Sequence, residues 1–397
     1  MAYIVPPKYV RHILVTLQSH GHQAFLVGGS VRDMLLGKHP FDWDISTSAR
    51  PEQVMEIFPD SDPTGLKHGT VTVKINSHSA EVTTFRSEGS YTDHRHPDMV
   101  TFVGDLTTDL SRRDFTMNAI AFSPDGLMAD PFDGCSDIEN HLIRAVGLPQ
   151  LRFEEDALRM FRAVRFSARL GFKIEKETLE AIRIKAPLAA DIAPERVRDE
   201  IEKILTSTAP AKFFDLVKYG LMDSYLVTRP ESIDDGGSLS KLPRKKSLYR
   251  WTCLCVILEN YGCIESVEDF LGSLRVDKRR IRCCRDASAM LTDPIPETPV
   301  EWKRLLNKYG VTAVSCAAAV ADVLKGKNYT HELKTILRSG ECFSLKHLAV
   351  TGDDLMQIGL NGRELGEMLL FLLDYVMEFP QYNQRELLLS LAKGTEE

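Results

Sequence analysis

Two acidic residues one position apart, Asp42 and Asp44 in Phe41-Asp42-Trp43-Asp44-Ile45-Ser46, carry the clearest chemical signal in the chain. Read as a strand with a side-chain period of two, the run puts Phe41, Trp43 and Ile45 on one face and Asp42, Asp44 and Ser46 on the other. Neighbouring carboxylates repel unless something positive lies between them, and oxygen ligands select Mg²⁺ or Mn²⁺ over softer ions. A pair of such ions, about 3.5–4 Å apart, can activate an attacking hydroxyl and stabilise a departing pyrophosphate. Taken alone, Asp-x-Asp also suits a solvated edge strand. Just upstream, Phe25-Leu26-Val27-Gly28-Gly29-Ser30-Val31-Arg32-Asp33 reads as an apolar strand, a glycine pair and a helix start. Glycine lets a backbone approach a phosphate, and a helix N-terminus offers unpaired N–H groups. Gly29 is then a phosphate contact, and Arg32 can add a forked contact to a triphosphate. A plain strand–turn–helix corner has the same pattern.

Further along, Asp156 and Arg159 stand three positions apart in Glu155-Asp156-Ala157-Leu158-Arg159-Met160-Phe161-Arg162-Ala163. On a helix, side chains at that spacing are neighbours and can share one hydrogen-bonding edge. Cytosine and adenine each show an amine donor beside a ring-nitrogen acceptor; a carboxylate accepts from the first and a guanidinium donates to the second. Uracil and guanine reverse the order and would leave a charged group badly paired, at ~1–3 kcal/mol or more per group. Such an edge selects C and A over U and G without a template. In isolation the pair reads as an ordinary helical ion pair.

The elements that must position these residues are of two kinds. Short β-branched or aromatic runs at Ala24–Val27, Phe41–Ser46, Thr70–Ile75 and Glu81–Arg86 predict strands, alternating with helical patterns at Tyr9–Ser19, Ser30–Leu36 and Pro51–Ile57. From about Glu154 onward helical periodicity dominates, as in Ala157–Arg169, Glu195–Leu205, Trp302–Tyr309 and Leu365–Glu378. The pattern predicts a small α+β head and a long all-helical remainder, with a soft joint near Pro230–Pro243.

The composition is that of an ordinary soluble chain, with 43% hydrophobic and 26% charged residues among 397. No run approaches the ~18 apolar residues of a membrane helix, and the N-terminus lacks the pattern of a secretion signal. Eight scattered cysteines predict reduced, mostly buried thiols of a cytoplasmic protein. A net charge of −7 argues against a phosphate-binding surface at large, so RNA contacts would use local patches. Arg244-Lys245-Lys246 is one such patch. Lys278-Arg279-Arg280 with Arg282 and Arg285 is another, in which Lys278, Arg282 and Arg285 share a helix face. Alone, that cluster reads as a solvated helix face.

Taken together and in order, the motifs resemble those of the DNA polymerase β superfamily, specifically class II tRNA nucleotidyltransferases and bacterial poly(A) polymerases. Gly28–Asp33 followed by Asp42-x-Asp44 is similar to that family's catalytic motif. Arg112-Arg113-Asp114-Phe115-Thr116-Met117-Asn118-Ala119 resembles its second motif, in which an arginine contacts the nucleotide. Glu155–Ala163 resembles the nucleobase-selecting helix, and Ala193-Pro194-Glu195-Arg196-Val197-Arg198 the helix that braces it. Gly352-Asp353-Asp354-Leu355 and Leu360–Gly366 are weakly similar to the family's tail.

The resemblance implies a nucleotidyltransferase head with a small mixed sheet at residues 1–147, then an all-helical neck (148–208), body (209–292) and tRNA-binding tail (293–397). It implies template-independent addition of CCA to the 3′ end of tRNA from CTP and ATP, with release of pyrophosphate, and leaves a homodimer open. Asp42 and Asp44 would hold Mg²⁺ in a two-metal arrangement. The third carboxylate of the superfamily comes from a later strand; Glu81 fits by type and position, although a salt bridge to Arg86 fits nearly as well. Nucleotide contacts carry over to Gly29, Arg32, Arg113, Asp156, Arg159, Arg162 and Arg165. Arg165 ends about half a turn from Asp156, so a phosphate or bracing role suits Arg162 and Arg165 better than base reading.

Rival readings differ at identifiable places. A poly(A) polymerase carries an extended basic tail, whereas this chain ends Lys393-Gly394-Thr395-Glu396-Glu397. CC-only relatives have a shortened loop between the first two motifs, whereas Arg86–Asp98 is of full length; A-only addition stays open. None of the eleven histidines precedes an aspartate, so no His-Asp phosphohydrolase activity is expected. A non-catalytic tRNA-binding protein would have lost the acidic pair. A small-molecule nucleotidyltransferase would not need the helical base-selecting motif.

Overall fold

The chain is described here by a computed structural model covering residues 5–89, 99–234, 237–292 and 294–394. It divides into two compact units, residues 1–224 and 225–397.

The first unit is built on a mixed sheet. Its strands β1 (Ala24–Val27), β2 (Asp44–Thr47), β3 (Ser61–Gly65), β4 (Thr70–Ile75) and β5 (His78–Thr84) lie in the order β3-β4-β5-β2-β1, continued past β1 by the short strands Ala121–Phe122 and Met128–Ala129. β2 and β5 run parallel; the other pairs are antiparallel. Register explains how one face became core. Leu26, Ile45, Val82 and Val71 are successive cross-strand partners, and all four are buried. Helices α1 (Lys8–Ser19), α2 (Gly29–Leu35) and α3 (Pro51–Ile57) follow the same logic. α1 buries Val10, Ile13, Leu14 and Leu17, a stripe with helical spacing. The row of partners beside the core row is Val27, Asp44, Glu81 and Thr72, which carries the acidic residues to the other face.

Helices α4 (Leu106–Ser111), α5 (Gly134–Glu139), α6 (Pro149–Glu155), α7 (Leu158–Leu170), α8 (Lys176–Lys185) and α9 (Pro194–Leu205) complete most of this unit. α6 packs on α8, and α7 packs on α9. α7 buries Met160, Phe161, Ala163, Val164 and Phe166.

The second unit has helices as its only regular elements among the described residues. Among its apolar clusters, one centres on Trp302, Leu306, Val314 and Leu333 and another on Leu355, Leu372, Leu373 and Val376. The helix expected at Trp302–Tyr309 belongs to a longer one, Pro299–Lys325, broken at Gly310 (φ 79°). No described helix is long and apolar enough to cross a membrane, and all eight cysteines are unpaired thiols.

Two sequence expectations need correction. The strand predicted at Phe41–Ser46 starts only at Asp44; Asp42 lies in a bend before it, and Phe41 is 93% exposed rather than core-facing. Pairing with β1 runs only from Thr47 to Asp44, because β1 ends at Val27 and the chain turns at Gly28 into α2. Residues before Asp44 therefore have no β1 backbone to pair with. The second correction concerns Asp156. It is not in the helix of Arg159 but sits in extended conformation (φ −142°, ψ 100°) at the end of α6. Its carboxylate accepts the Leu158 N–H at 3.1 Å, a local side-chain bond that competes with helix continuation.

Candidate active site

Parallel pairing of β2 with β5 sets Asp44 directly beside Glu81. Burial pushes the Asp44 carboxyl above the usual range; Arg113 pulls it back, Asp42 pushes it further up, and Arg32 pulls it down. Burial also raises Glu81, followed by the negative charges of Asp44 and Asp42. The three carboxylates therefore feel one another although Asp42 lies outside the strand. None of them forms an ion pair with a described residue, and the alternative pairing of Glu81 with Arg86 is not seen. Concentrated negative charge, offset at Asp44 only by the nearby Arg113 and Arg32, fits a divalent cation.

Among the described residues no three His, Cys, Asp or Glu side chains form a ready-made cage.

The glycine turn borders this cluster. Gly28 has φ 71°, and a Cβ there would lie 2.8 Å from Arg113 Nη1 and 3.2 Å from Asp44 Oδ2. The positive φ favours glycine at 28, and a Cβ there would also displace the end of Arg113, whereas a Cβ on Gly29 would meet nothing closer than Arg32 Nη2 at 3.5 Å. Arg113 approaches Ser46 Oγ (3.4 Å), the Asn118 carbonyl (3.5 Å) and Asp109 Oδ2 (3.6 Å). Its buried Nε has no hydrogen-bond partner. A guanidinium beside Asp44 with an unused donor is poised for an anion.

Asp109, fully buried, organises this side. It accepts from Arg112 Nε and Nη2 (3.0 and 2.8 Å) and from the Ser46 hydroxyl (3.1 Å). The flanking arginines hold its carboxyl below the usual range despite burial. Sequence reading missed it, although its i,i+3 and i,i+4 spacing to Arg112 and Arg113 on one helical segment was a usable signal.

Arg32 is turned inward. Its Nε and Nη2 donate to Asp33 Oδ1 (2.9 and 2.6 Å), its Nη1 to Asn118 Oδ1 (2.7 Å), and its guanidinium lies 5.1 Å from the Phe166 ring centre. Arg162 and Arg165 of α7 approach the same ring at 5.5 and 4.0 Å. Arg162 also donates to Asp114 Oδ2 (2.8 and 2.6 Å), holding the Asp114 carboxyl far below its ordinary range, and Arg165 pairs with buried Glu200 of α9. Phe166, Asp114 and Glu200 were not singled out from sequence. Arg162 stands one helical turn from Phe166 and Asn118 one turn from Asp114, but the contacts Arg32–Phe166, Arg162–Asp114 and Arg165–Glu200 join residues far apart in the chain.

Asp156 and Arg159 have separate partners. Asp156 Oδ2 accepts from Arg196 Nη2 of α9 at 3.1 Å. Arg159 is buried, its Nη1 donating to Glu155 Oε2 (2.7 Å) and its Nη2 to the Arg112 carbonyl (2.9 Å). The two side chains therefore do not pair with each other, although the Arg159 N–H donates to the Asp156 carbonyl at 3.0 Å and the segment contacts the Arg112–Asp114 motif through Arg159 and Arg162.

In the second unit, Lys278, Arg282 and Arg285 are exposed on helix Lys278–Thr292. Arg285 is paired with Glu268 and Asp286 (3.1 and 2.9 Å), and Arg282 lies 3.6 Å from Asp286. Of the Arg86–Asp98 segment, Arg86–Glu88 pairs with Val100–Phe102, and Ser90–Asp98 lie outside the described residues.

Three family models match the chain. They are a poly A polymerase head domain over residues 24–144, a probable RNA- and SrmB-binding site of polymerase A over 171–231, and a putative tRNA nucleotidyltransferase domain 2 over 244–392. A CCA-adding enzyme of Geobacillus sp. (strain WCH70) is 40% identical over 354 residues, covering 87% of this chain and 86% of that one. A CCA-adding enzyme of Levilactobacillus brevis is 39% identical over 371 residues, covering 91% of each. The crystal structure of the Bacillus stearothermophilus CCA-adding enzyme in complex with CTP superposes with a TM-score of 0.83 at 33% identity, covering 98% of each chain.

Proposed function

From the premise that this chain belongs to the family of CCA-adding enzymes, we propose how its residues build the CCA end of tRNA from CTP and ATP. The observation that carries the assignment of roles is the register of Asp44 beside Glu81, with Asp42 adjoining and the Gly28 turn and Arg113 on the β1 side. The reaction is attack of the terminal 3′-hydroxyl of tRNA on the α-phosphate of a nucleoside triphosphate. Mg²⁺ held by Asp42 and Asp44, with Glu81, would supply charge neutralisation at the attacking and leaving oxygens.

The chain's own residues do the rest. Gly28 keeps the backbone low enough for a phosphate to approach, with Gly29 opening the helix behind it. Arg113 offers its free Nε donor to the triphosphate. Arg32 acts by bracing α2 against Asn118 and Phe166. The base is read at the neck by Asp156 and Arg159, whose orientation depends on Arg196 and Glu155. Arg162 and Arg165 secure that segment through Asp114 and Glu200. Residues 1–147 then serve as head and 148–208 as neck, with body (209–292) and tail (293–397) holding tRNA. Eight free thiols accord with a cytoplasmic setting.

The test is pyrophosphate release from CTP with tRNA lacking its CCA end, in Mg²⁺ and after chelation. The wild type releases pyrophosphate only with metal and primer. Asp42→Ala and Asp44→Ala release none while still binding tRNA. Full release by a folded Asp42→Ala protein would overturn the assignment.

A further inference from the structure

Asp109 and Arg113 lie within ion-pair range, yet the contact between them is loose. Asp109 is fully buried and commits its Oδ1 to Arg112, from Nε at 3.0 Å and Nη2 at 2.8 Å, and to the Arg86 N–H at 3.3 Å. Its Oδ2 accepts from the Ser46 hydroxyl at 3.1 Å and stands 3.6 Å from Arg113 Nη2. Arg113 donates to Ser46 Oγ at 3.4 Å and to the Asn118 carbonyl at 3.5 Å, and its Nε donates to nothing. All of the Arg113 contacts are longer than an ordinary N–H···O bond of about 2.7–3.2 Å. Charge, more than hydrogen bonding, holds this guanidinium in place.

A second carboxylate competes for it. Arg113 Nη1 and Asp44 Oδ2 face the same point, the empty Cβ position of Gly28, at 2.8 and 3.2 Å. They nevertheless form no ion pair, and Asp109 is the one ion-pair partner of Arg113 among the described residues. A buried guanidinium that loses its partner is costly to leave unpaired. Asp114, the other carboxylate nearby, is already engaged by Arg162. Without Asp109, Arg113 would therefore close on Asp44 across the gap that glycine leaves open. Closure would harm the site twice. It would consume a carboxylate that a divalent cation needs, and it would turn the guanidinium away from the triphosphate.

We propose that Asp109 is a positioning residue that holds Arg113 off Asp44, leaving Asp44 for the divalent cation and Arg113 for the triphosphate. The proposal rests on the reading of Asp44 as a metal ligand. Ser46, two residues after Asp44 on β2, is the hydroxyl bridge through which Asp109 reaches Arg113.

The experiment titrates full-length, metal-free protein with Mn²⁺ and no nucleotide, below the melting transition of each variant. Mn²⁺ takes the oxygen ligands that suit Mg²⁺, and its free form is counted by electron paramagnetic resonance. The wild type binds Mn²⁺ at a site that Asp44→Ala removes. Asp109→Asn weakens that site about tenfold or more, the size of one hydrogen bond between charged groups. The double variant Asp109→Asn/Arg113→Gln returns to within about twofold of wild type, because no guanidinium remains to occupy Asp44. Loss of Arg113 would not rescue a purely structural Asp109. Ser46→Ala keeps every charge, removes only the bridge, and weakens the site about threefold; it reads the same effect if Asp109→Asn does not fold.

Wild-type affinity in folded Asp109→Asn, or weakening that persists undiminished in the double variant, overturns the proposal. Unaltered affinity in Ser46→Ala overturns it where Asp109→Asn does not fold. If Asp44→Ala binds Mn²⁺ as the wild type does, the metal reading falls and takes this proposal with it. That result is distinct from a site that Asp44 holds and Asp109 does not protect.

Discussion

Asp44 and Glu81 are register partners on two parallel strands, and neither has a basic ion-pair partner among the described residues. Both carboxyls are raised above their ordinary values, first by burial and then by neighbouring negative charge, Asp42 for Asp44 and both Asp44 and Asp42 for Glu81, with Arg113 and Arg32 partly offsetting the rise at Asp44. A native pKa above the unfolded one means that the native state binds protons more readily. Ionisation of these groups therefore costs stability as pH rises through the native value, and protonation restores it as pH falls.

Asp44→Asn and Glu81→Gln should accordingly abolish or severely reduce nucleotide addition while leaving the melting temperature of metal-free protein equal to or above wild type. Each kcal/mol of relieved repulsion is worth ~2–4 °C. Calorimetry at neutral pH checks this. A fall of several degrees in both variants would mean the carboxylates are structural.

The same raised values predict a pH-dependent metal requirement. Protons compete with Mg²⁺ for Asp44 and Glu81, so the Mg²⁺ concentration for half-maximal activity should climb as pH falls, starting above the ordinary carboxylate range near pH 4. Activity titrations against Mg²⁺ at stepped pH measure it. A requirement that begins to climb only at or below the ordinary carboxylate range near pH 4 would contradict the cluster's electrostatics.

Asp114 has the opposite sign. Arg162 and Asn118 overcome burial and hold its carboxyl far below normal, so it stabilises the fold above the unfolded value near pH 4, and that contribution is lost as pH falls further. Asp114→Asn should cost about 1–3 kcal/mol at neutral pH, discounted from a fully buried pair because Arg162 is one-third exposed. The cost should shrink in acid. Denaturant unfolding at pH 7 and pH 3.5 separates the cases.

These contrasts show what the sequence could reveal. Strand β1 and helices α1 and α3 were legible because their apolar residues recur at the period of one element. Asp44 and Glu81 were legible as residue types, but their adjacency depends on a parallel pairing between strands separated by β3 and β4. Asp156 was misplaced because a helical pattern runs through Glu155 and Arg159, and nothing local shows that its carboxylate caps Leu158 and faces Arg196. Phe166 and Glu200 were invisible for the same reason. Their partners come from α2, α7 and α9.

Because Arg196 pins Asp156, base selection should depend on a residue that need not touch the base. Arg196→Ala should lower the ratio of CTP to UTP incorporation roughly tenfold, the size of one badly paired charged group, with affinity for tRNA unchanged. Kinetics with all four triphosphates give the ratio. An unchanged ratio in an active variant would place selection elsewhere.

On the second unit, Glu268 and Asp286 partly neutralise Arg285, leaving Lys278 and Arg282 as the more available cations of that helix face. Lys278→Ala with Arg282→Ala should weaken tRNA binding and lower its salt slope by about 1–2, equally for different tRNAs. Affinity measured across salt concentrations checks this, and an unaltered slope would remove the patch from the RNA path.

The central claim is tested most directly by the length of the product made on tRNA lacking its CCA end. With CTP alone the product should grow by two nucleotides, with CTP and ATP together by three ending in A, and with ATP alone it should not become a CCA end. UTP and GTP should add little. Long adenylate tails from ATP alone, or extension only when the two cytidines are already present, would contradict the account.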